Sequence, residues 1–487
     1  MIGPGGDPRT TLRDLDPYVI EVARAVAAAG GRAFLVGGWV REWVAAGYRL
    51  PGGHEFDLEV YRLPPERLVA VLHRLGRVNL VGESFAVYKL QPHGDAGDRL
   101  PPLDVSLPRR DQRVGRGHRG FAIEGDPDLP PAEATRRRDF TVNAMMCDPL
   151  TGDIVDLWGG RDDLGRKVLR AVDPATFVED SLRVLRAVQF AARLEFAIEP
   201  STAALCRGID LADLPAERLW GEIEKLLLKA ARPSIGLRWA LDLGVVDRLF
   251  PELKALVKCQ QEPEWHPEGD VWVHTLMAID CARRVIDDLP HEKQVTVMLA
   301  VLCHDFGKPP TTAVVEGRIR SYEHEEAGIA PTEAFLDRLR IHTLNGYDVR
   351  AQVVALVESH LAPSHLYKNR DSVGDGAFRR LARRLEPELL YRVSRSDCLG
   401  RTGDFSTEAH DWFIARARAL GVEEKPPGPI LMGRHLLDMG LRPGPEVGRI
   451  VRAVYEMQLD GRVVDLEGAL LAARALLAGG GARPGAA

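Results

Sequence analysis

Hydrophobic and polar positions follow two different patterns along this chain, and the change falls near residue 174. Before it, short apolar runs such as "AFLV" (33–36) and "PLDVS" (102–106) alternate with helix-like segments such as "PPERLVAVLHRLG" (64–76). This mixture is typical of a small α/β or α+β domain. After it, apolar residues recur with helical spacing to about residue 420. The pattern predicts an α+β protein with a mixed N-terminal region and an almost wholly helical remainder.

Chain length and breaks in the pattern divide the chain further. At 487 residues it exceeds the size of one hydrophobic core. A proline-rich break, "EEKPPGP" (423–429), precedes a last helical unit, and the two ends of the chain are expected to be disordered. The predicted segments are a disordered tail at 1–12, a head at 13–172, a helical neck at 173–258, a third domain at 259–422, a helical tail at 423–476 and a disordered end at 477–487.

The composition is that of a globular protein without a membrane segment. It is 45% hydrophobic and 28% charged, and no apolar run approaches the ~20 residues of a membrane span. The N-terminal residues show no apolar signal-peptide core. Six scattered cysteines form neither CxxC pairs nor a compact framework. We therefore expect a cytoplasmic protein with reduced thiols and no membrane partner, and the sequence leaves its oligomeric state open.

Positive charge is concentrated in one region of a chain whose net charge is −6. A local basic stretch on an acidic chain suits a polyanion that is held at one place. A solvated arginine-rich loop is the alternative interpretation. The residues concerned are Arg109, Arg110, Arg113, Arg116, His118, Arg119 and Arg136 to Arg138.

Carboxylates alternate with apolar residues in "GGHEFDLEVY" (52–61), which contains Glu55, Asp57 and Glu59. Alternate residues of a strand face the same side about 6.6–7 Å apart, so these acids repel one another unless solvent or a cation intervenes. One interpretation is the charged face of an edge strand. The other is a metal site, because two such acids and Asp104 from a neighbouring strand can hold two Mg²⁺ ions for phosphoryl transfer.

A glycine pair, Gly37 and Gly38 in "LVGGWVRE" (35–42), stands between a predicted strand and a predicted helix. Glycines at this place let backbone N–H groups approach a phosphate at the helix N-terminus. Arg41, one turn into the helix, can pair with the phosphate charge. The segment therefore indicates phosphate binding close to the acidic strand.

Four ordered motifs make residues ~33–230 resemble a known family. GG-x-V-R, the acidic pair, "RRRDFTVNAM" (136–145) and "EDSLRVLR" (179–186) occur in the order found in class II tRNA nucleotidyltransferases. These are the CCA-adding enzymes and the similar bacterial poly(A) polymerases. "GHRGF", "DLWGGRDDL" and "QFAARL" also match. The resemblance implies a nucleotidyltransferase head with a small mixed sheet, followed by an all-α neck.

The resemblance also implies roles by position. It makes Glu55 and Asp57 catalytic carboxylates and Mg²⁺ ligands, and Asp104, which its neighbouring strand places beside them, is the third predicted catalytic carboxylate. Asp180 and Arg183 would read the incoming base, and their i, i+3 spacing predicts that they share a helix face. The nucleotide-binding residues that it implies are Gly37, Gly38, Arg41, Arg138, Asp139, Asn143, Asp180, Arg183 and Arg186.

Two positions depart from the family pattern. Glu55 stands where the family has Asp, and Glu42 replaces the Asp that usually ends the glycine motif. The longer Glu55 side chain moves its carboxylate by one methylene, and a displacement on that scale can cost on the order of a hundredfold in rate. A slowed or lost transferase activity is therefore left open.

Histidines and aspartates recur through residues 266–401 on segments that are predicted to be helical. Their order resembles the H…HD…D pattern of the HD phosphohydrolase family, and a mixed His/Asp set suits Mn, Ni, Co, Mg or Fe. The resemblance implies an HD domain at 259–422 that holds a divalent metal of unidentified kind, with Lys308 available to a phosphate. The metal ligands that it implies are His274, His304, Asp305 and Asp397, with His324 and His360 as additions.

Together these resemblances imply addition of C and A from CTP and ATP to the 3′ end of tRNA without a nucleic-acid template. The tRNA 3′-hydroxyl would attack the α-phosphate, pyrophosphate would leave, and Mg²⁺ would act in the head. The acceptor stem would be gripped through its shape and phosphate charge. Three alternatives stay open: a poly(A) polymerase, an A-only or CC-only adding enzyme, and an HD phosphohydrolase whose head only binds RNA.

Overall fold

The computed structural model describes residues 15–48, 55–81, 87–93, 102–113 and 121–479. The chain forms two compact units: unit 1 is Met1–Ala230 with Ile235–Leu249, and unit 2 is Ala231–Ser234 with Phe250–Ala487. The four predicted domains subdivide the chain more finely than these units, and their boundaries stay predictions. The predicted tail at 1–12 and the "GHRGF" motif's first four residues lie outside the described residues, as do Arg116, His118 and Arg119.

Unit 1 is an α+β structure, which confirms the predicted class. Its strands are β1 (Arg32–Val36), β2 (Asp57–Tyr61), β3 (Gly76–Val81), β4 (Val87–Pro92), β5 (Leu103–Ser106), β6 (Arg109–Arg113), β7 (Phe121–Gly125), β8 (Met146–Cys147), β9 (Ile154–Val155), β10 (Val168–Leu169) and β11 (Ala197–Ile198). Its helices are α1 (Pro17–Ala28), α2 (Gly38–Ala45), α3 (Pro65–Leu75), α4 (Pro131–Arg136), α5 (Gly160–Arg166), α6 (Pro174–Phe177), α7 (Leu182–Leu194), α8 (Pro200–Gly208), α9 (Ala216–Lys229), α10 (Pro233–Asp242) and α11 (Val245–Leu249), with a 3₁₀ turn at Thr141–Asn143.

The acidic strand β2 lies near the middle of a seven-stranded sheet, whose order is β3-β4-β5-β2-β1-β8-β9. It pairs with β1 in antiparallel and with β5 in parallel orientation. The edge-strand interpretation is therefore wrong. Register places Asp57 beside Asp104, and paired residues of neighbouring strands point to the same side of a sheet. The two carboxylates thus face the same side.

The sheet holds its position through an apolar core. Phe34 and Val36 of β1 pack with Tyr61 of β2 and Met146 of β8, and Leu129 and Ala134 cover them. Phe34 and Met146 are buried, and full burial of a side chain of this size contributes ~1.5–3 kcal/mol. This core fixes the ends of β1 and β2, from which the site residues project.

Residues 175–194, which begin the region of predicted helical spacing, form parts of two helices, α6 and α7, rather than one continuous helix. Asp180 lies between them, and its Oδ1 accepts a hydrogen bond from the backbone N–H of Leu182 at 3.0 Å. Aspartate side chains compete in this way with the hydrogen bonds of a continuing helix. The prediction that Asp180 and Arg183 share a helix face is therefore wrong, because Arg183 lies in α7 and Asp180 precedes it.

Unit 2 is mainly helical, with two short hairpins in the region that was predicted to be helical. Among its described residues, the helices are α12 (Pro251–Leu256), α13 (Val271–Arg283), α14 (His291–Cys303), α15 (Lys308–Thr311), α16 (His324–Ala327), α17 (Ile329–Arg338), α18 (Val349–Ser359), α19 (Ala362–Lys368), α20 (Asp375–Leu381), α21 (Pro387–Leu399), α22 (Glu408–Ala419), α23 (Gly433–Asp438), α24 (Pro445–Leu459) and α25 (Leu466–Gly479). The hairpins are β12 (Thr312–Val315) with β13 (Arg318–Ser321), and β14 (Thr343–Leu344) with β15 (Tyr347–Asp348).

The last three helices, α23 to α25, have an apolar cluster of their own, which includes Leu436, Ile450 and Ala469. Helix α25 continues through Gly479, three residues beyond the predicted end of the helical tail. Residues 480–487 lie outside the described part of the chain. Within that part, no helix has the length and apolar character that crossing a membrane requires.

Candidate active sites

A cavity of about 680 Å³ opens in unit 1 where β2 and β5 begin. Glu55 is not among the residues that line this cavity; it is exposed immediately before β2. Every other residue predicted to act in the head contributes to the wall. These residues are Gly37, Gly38, Arg41, Asp57, Asp104, Arg138, Asp139, Asn143, Asp180, Arg183 and Arg186.

The carboxylates of Asp57 and Asp104 form the acidic side of the cavity. Loss of solvation first, and then the charges of Asp104 and Glu55, raise the pKa of Asp57 to about 6, and Arg138 opposes this shift. Asp104 Oδ1 is buried and accepts no hydrogen bond, although Lys89 Nζ lies 3.5 Å away. Two close carboxylates with an unused buried oxygen fit a hard divalent cation such as Mg²⁺.

Gly37 forms the turn from β1 into α2, next to these carboxylates. Its φ is +74°, a conformation that favours glycine. A Cβ at this position would also lie 3.3 Å from Asp57 Oδ2. The turn therefore brings backbone close to the acidic pair, as the glycine motif predicted.

A chain of hydrogen bonds joins the glycine motif to the "RRRDFTVNAM" motif and to α7. Arg41, which is 3% exposed, donates from Nη1 to Asn143 Oδ1 at 2.5 Å. Asn143 Nδ2 donates to Asp139 Oδ1 at 3.0 Å, and Arg186 Nε donates to Asp139 Oδ2 at 2.7 Å. Burial opposes the charge of Asp139, but Arg186 and Asn143 hold its pKa below the usual value. The network keeps one wall of the cavity rigid and charged.

Glu59 is buried in a second network rather than free in the cavity. Arg138 Nη2 donates to Glu59 Oε2 at 3.1 Å, and the Tyr61 hydroxyl donates to Glu59 Oε1. Because both oxygens of Glu59 accept hydrogen bonds, this residue holds Arg138 in position. The third acid of the strand thus differs in surroundings from Asp57.

Asp180 and Arg183 both line the cavity, and each side chain is held by other groups. Arg183 donates from Nη1 to the carbonyl of Thr176 at 2.5 Å and from Nη2 to that of Arg137 at 2.6 Å. Asp180 Oδ2 lies 3.8 Å from Arg218 Nη2. Arg183 has five N–H groups, so three remain available after these two bonds. The pair offers an acceptor and several donors in fixed places.

Phe190 forms a platform that the sequence did not single out. The guanidinium carbons of Arg41, Arg186 and Arg193 lie 5.2, 5.2 and 5.5 Å from the centre of its ring. A cation at this distance from an aromatic face is attracted by the ring quadrupole. The cluster gives the cavity a positively charged wall that suits a polyphosphate.

A second group of ionisable residues lies buried in unit 2, and the structure brings together all six predicted metal ligands there. His274 Nε2 lies 3.0 Å from Asp397 Oδ1 and 3.3 Å from His304 Nε2. His324 Nε2 lies 3.3 Å from His360 Nε2. The exposed fractions of these side chains fall between 0% and 9%. We name this group the histidine–aspartate cluster: His274, His304, Asp305, His324, His360 and Asp397.

The outer nitrogens of the cluster's imidazoles are held by hydrogen bonds. His304, His324 and His360 each use Nδ1 to contact a backbone carbonyl, at 2.7, 2.9 and 2.7 Å. His274 Nδ1 lies 2.9 Å from Glu268 Oε1. Metal-binding histidines are oriented in the same way, with the second nitrogen bonded to a carbonyl or carboxylate. The remaining Nε2 atoms all point into the cluster.

Asp305 lies at the middle of the cluster. Its carboxylate is 1% exposed, and neither oxygen accepts a hydrogen bond, although Lys308 Nζ lies 2.8 Å from Oδ2. His304 and Lys308 hold the pKa of Asp305 well below its ordinary value, against the effect of burial. A buried, ionised carboxylate among imidazole nitrogens fits a metal ligand.

Comparisons with known proteins agree with this arrangement. A family model described as the poly A polymerase head domain matches residues 33–170. A second, described as a probable RNA and SrmB-binding site of polymerase A, matches residues 195–256. The multifunctional CCA protein of Xanthomonas campestris pv. campestris (strain B100) is 35% identical over 381 residues, which are 76% of this chain and 85% of that protein. The chain belongs to the multifunctional CCA protein family.

Solved structures of other proteins have the same fold as this chain. The CCA-adding enzyme of Bacillus stearothermophilus in complex with CTP superposes with a TM-score of 0.64 at 20% identity, covering 96% of this chain and 99% of that one. The Thermotoga maritima CCA-adding enzyme complexed with tRNA_CCA gives 0.58 at 20% identity, covering 97% and 99%. The sequence-based recognition of the family is therefore confirmed.

Sequence reasoning missed some residues that lie at the two sites. Phe190 and Arg193 lie in "QFAARL", which matched the related enzymes as a string but carried no role. Glu268 lies in "HPEGDVWVH", three residues before the start of α13 and six before His274. The position of these residues at the sites depends on packing between distant parts of the chain. Helical spacing shows only that Arg193 follows Arg186 by two turns.

Proposed function

We propose that this protein adds C and A from CTP and ATP to the 3′ end of tRNA. The observation that carries the proposal is the single cavity that joins the Asp57–Asp104 pair, the glycine turn, the arginine wall and Asp180. Its family relatives are named for CCA, and solved structures of the same fold hold CTP or tRNA. This set favours CCA addition over a poly(A) polymerase or a phosphohydrolase with an inert head.

Different residues of the cavity would bind the cation and the triphosphate. Asp57 and Asp104 would hold a divalent cation, expected to be Mg²⁺, which supplies neutralisation of the charge that develops on the phosphate oxygens. Arg41, Arg138 and Arg193 would bind the triphosphate, together with backbone N–H groups at the start of α2. The tRNA 3′-hydroxyl attacks the α-phosphate, the bond to the β-phosphate breaks, and pyrophosphate leaves.

The rest of the cavity would select the base. Asp180 supplies an acceptor and Arg183 supplies donors, and Arg183 is held in place by two backbone carbonyls. A site built from such fixed groups leaves them unpaired when the wrong base enters, and that costs free energy. Arg186 and Asp139 support this wall through their ion pair. Residues 195–256, which match an RNA-binding family model, would contact the tRNA.

The direct test is incubation of the purified chain with tRNA that lacks its 3′ CCA, with Mg²⁺ and each labelled nucleotide in turn. When CTP is the only nucleotide supplied, we expect it to be incorporated. ATP should be incorporated only after CTP has been added. Incorporation of ATP in a long tract, without CTP, would instead identify a poly(A) polymerase. Failure with all four nucleotides would leave the head as an RNA-binding module.

Asp180→Ala is expected to relax the choice of base. Loss of a good polar base contact is worth ~1–3 kcal/mol of discrimination, so incorporation of UTP or GTP relative to CTP and ATP should rise about ten- to a hundredfold. Binding of the triphosphate should change little, because its contacts come from other residues. The measurement is single-nucleotide addition with each nucleotide in turn.

Asp210→Ala is the matched control for this variant. Asp210 Oδ1 accepts the N–H of Ala212 at 3.0 Å, the same local bond that Asp180 makes with Leu182, but Asp210 is exposed and away from the cavity. The control should keep wild-type selectivity. Equal selectivity in the Asp180→Ala variant would show that this residue does not read the base.

A second activity is favoured by the histidine–aspartate cluster in unit 2. We propose that it binds a divalent metal and hydrolyses a phosphate ester, with Lys308 available to the phosphate. The buried Asp305 and the four inward-facing imidazoles are the supporting observations. The proposed action on tRNA, together with six free cysteines, suits a protein of the cytoplasm.

A further inference from the structure

A second cavity, of about 270 Å³, lies in unit 2 and includes no residue of the histidine–aspartate cluster in its wall. The wall is formed by α13 and the residues that follow it, by α21 and by α22. Helix α21 borders both places, because it carries Asp397 of the cluster and Arg395 of the cavity wall. Two residues of an α-helix that are two positions apart point to nearly opposite sides. The cavity is therefore separate from the cluster.

Three arginines and two carboxylates line this cavity, and both carboxylates are already bound. Arg392 donates to the two oxygens of Asp288 at 2.7 and 2.8 Å, and to Glu388 Oε1 at 3.0 Å. Arg418 Nη2 donates to Glu388 Oε2 at 2.8 Å. Because these ion pairs occupy both acids, no carboxylate of the wall balances the charge of the third arginine, Arg395.

Arg395 has a donor group that the protein leaves unused. Its Nε is buried and donates no hydrogen bond. Asp411 Oδ1 lies 3.6 Å from this nitrogen, which is beyond hydrogen-bond distance, and it already accepts a bond from the Tyr391 hydroxyl at 3.2 Å. Buried polar groups in proteins are normally hydrogen-bonded. Arg395 thus fits an acceptor that comes from outside the chain.

The rest of the wall suits a compact anion with several oxygens. Arg418 uses one of its five N–H groups on Glu388, and the Ser396 side chain adds a hydroxyl donor from α21. Val285 and Leu399 supply apolar surface, which lowers the local dielectric constant and strengthens a bond to a charged ligand. The donors come from two helices, so a tetrahedral group can contact both.

We propose that this cavity binds a phosphate group, held by Arg395 of α21 and Arg418 of α22. Guanidinium groups match the geometry of phosphate oxygens and stay charged at every physiological pH. The inference goes beyond both proposed activities, because the cavity shares no residue with the cavity of unit 1 or with the histidine–aspartate cluster. Inorganic phosphate and the phosphate of a nucleoside monophosphate share this chemistry, and the test separates them.

Cys281 lines the cavity and gives a readout at the site itself. Its side chain is partly buried, and so is that of Cys259, which lies outside the cavity wall. The full chain is kept in a chelator and labelled with iodoacetamide at constant ionic strength, with increasing phosphate, AMP or chloride. Mass spectrometry then gives the alkylation rate of each cysteine.

We expect phosphate or AMP to slow alkylation of Cys281 in a saturable way, by about tenfold at ten times the half-saturating concentration. Cys259 should react at an unchanged rate, and chloride should protect neither cysteine. Protection by AMP at lower concentration than by phosphate would identify a nucleotide as the ligand, and equal protection would identify the free ion. Absence of protection, or protection that chloride reproduces, would overturn the proposal.

Arg395→Gln should abolish the protection of Cys281. It should also lower the rate with anionic iodoacetate, relative to neutral iodoacetamide, by about tenfold, because a positive site concentrates anions. Arg449→Gln is the matched control, since it removes an exposed arginine of α24 outside the cavity, and it should keep the wild-type behaviour. Full protection in a folded Arg395→Gln variant would contradict the assigned role of Arg395. The wild-type measurements decide the proposal even if this variant fails to fold.

Discussion

Replacing Asp57 with alanine is expected to lower the rate of nucleotide addition by at least about a thousandfold. Asp57 faces Gly37 on one side and Asp104 on the other, and the cation that it would hold stabilises charge in the transition state. Removal of one such electrostatic contribution from an enclosed site costs about a hundred- to a thousandfold, and loss of the ion costs more. The measurement is the initial rate of CTP addition to tRNA that lacks CCA, at saturating Mg²⁺.

Glu21→Ala provides the control, because Glu21 is an exposed carboxylate on α1 of the same unit. It should add nucleotides at the wild-type rate and unfold at the same temperature. Substantial activity in a folded Asp57→Ala variant would mean that the carboxylates of this cavity do not carry the reaction. Glu55, which is exposed and outside the cavity wall, would then need a new assessment.

Replacing Asp397 with asparagine is expected to lower hydrolysis of a phosphate ester by a hundredfold or more while nucleotide addition changes by less than about twofold. Asp397 contacts His274 at 3.0 Å and is buried, so the amide keeps the shape but removes the charge that a cation requires. Substitution of residues behind metal ligands already costs about ten- to a hundredfold. Hydrolysis is followed with a 2′,3′-cyclic nucleotide and a phosphomonoester in the presence of Mn²⁺ or Ni²⁺.

Asp404→Asn makes the same chemical change at an exposed position of unit 2 and should preserve both activities. The two activities are expected to separate because their residues belong to different compact units of the chain. Loss of both in a folded Asp397→Asn variant would show that the two sites are not independent. Unchanged hydrolysis would exclude Asp397 as a metal ligand.

Some parts of the cavity in unit 1 can be predicted from neighbouring residues in the sequence. The glycine turn at Gly37 and the acids of β2 and β5 follow from turn chemistry and from the period of two along a strand. The parallel pairing that sets Asp57 beside Asp104 joins segments 47 positions apart, and strand register across that separation depends on the whole sheet. For the same reason the sequence suggested an edge strand as an alternative, whereas β2 lies inside the sheet.

Two hydrogen bonds, one local and one long-range, explain why Asp180 and Arg183 do not share a helix face as predicted. Helical periodicity runs through residues 175–194, yet the Asp180 side chain captures the Leu182 N–H and the helix begins only at Leu182. Arg183 then reaches the carbonyl of Arg137, 46 residues away. Neither bond has a signature in the apolar pattern. In unit 2 the order of histidines and aspartates indicated the residues that the fold brings together in the histidine–aspartate cluster, and their role as metal ligands stays a prediction.

The central claim is that the cavity of unit 1 builds a CCA end on tRNA. It is tested most directly by sequencing the products made from one tRNA whose 3′ end lacks CCA, lacks CA or lacks only A. With CTP alone, the first two substrates should stop at CC and the third should not react; with CTP and ATP, all three should end in CCA without further growth. A tail of many A residues, addition that ignores the starting 3′ end, or no addition at all would contradict the claim.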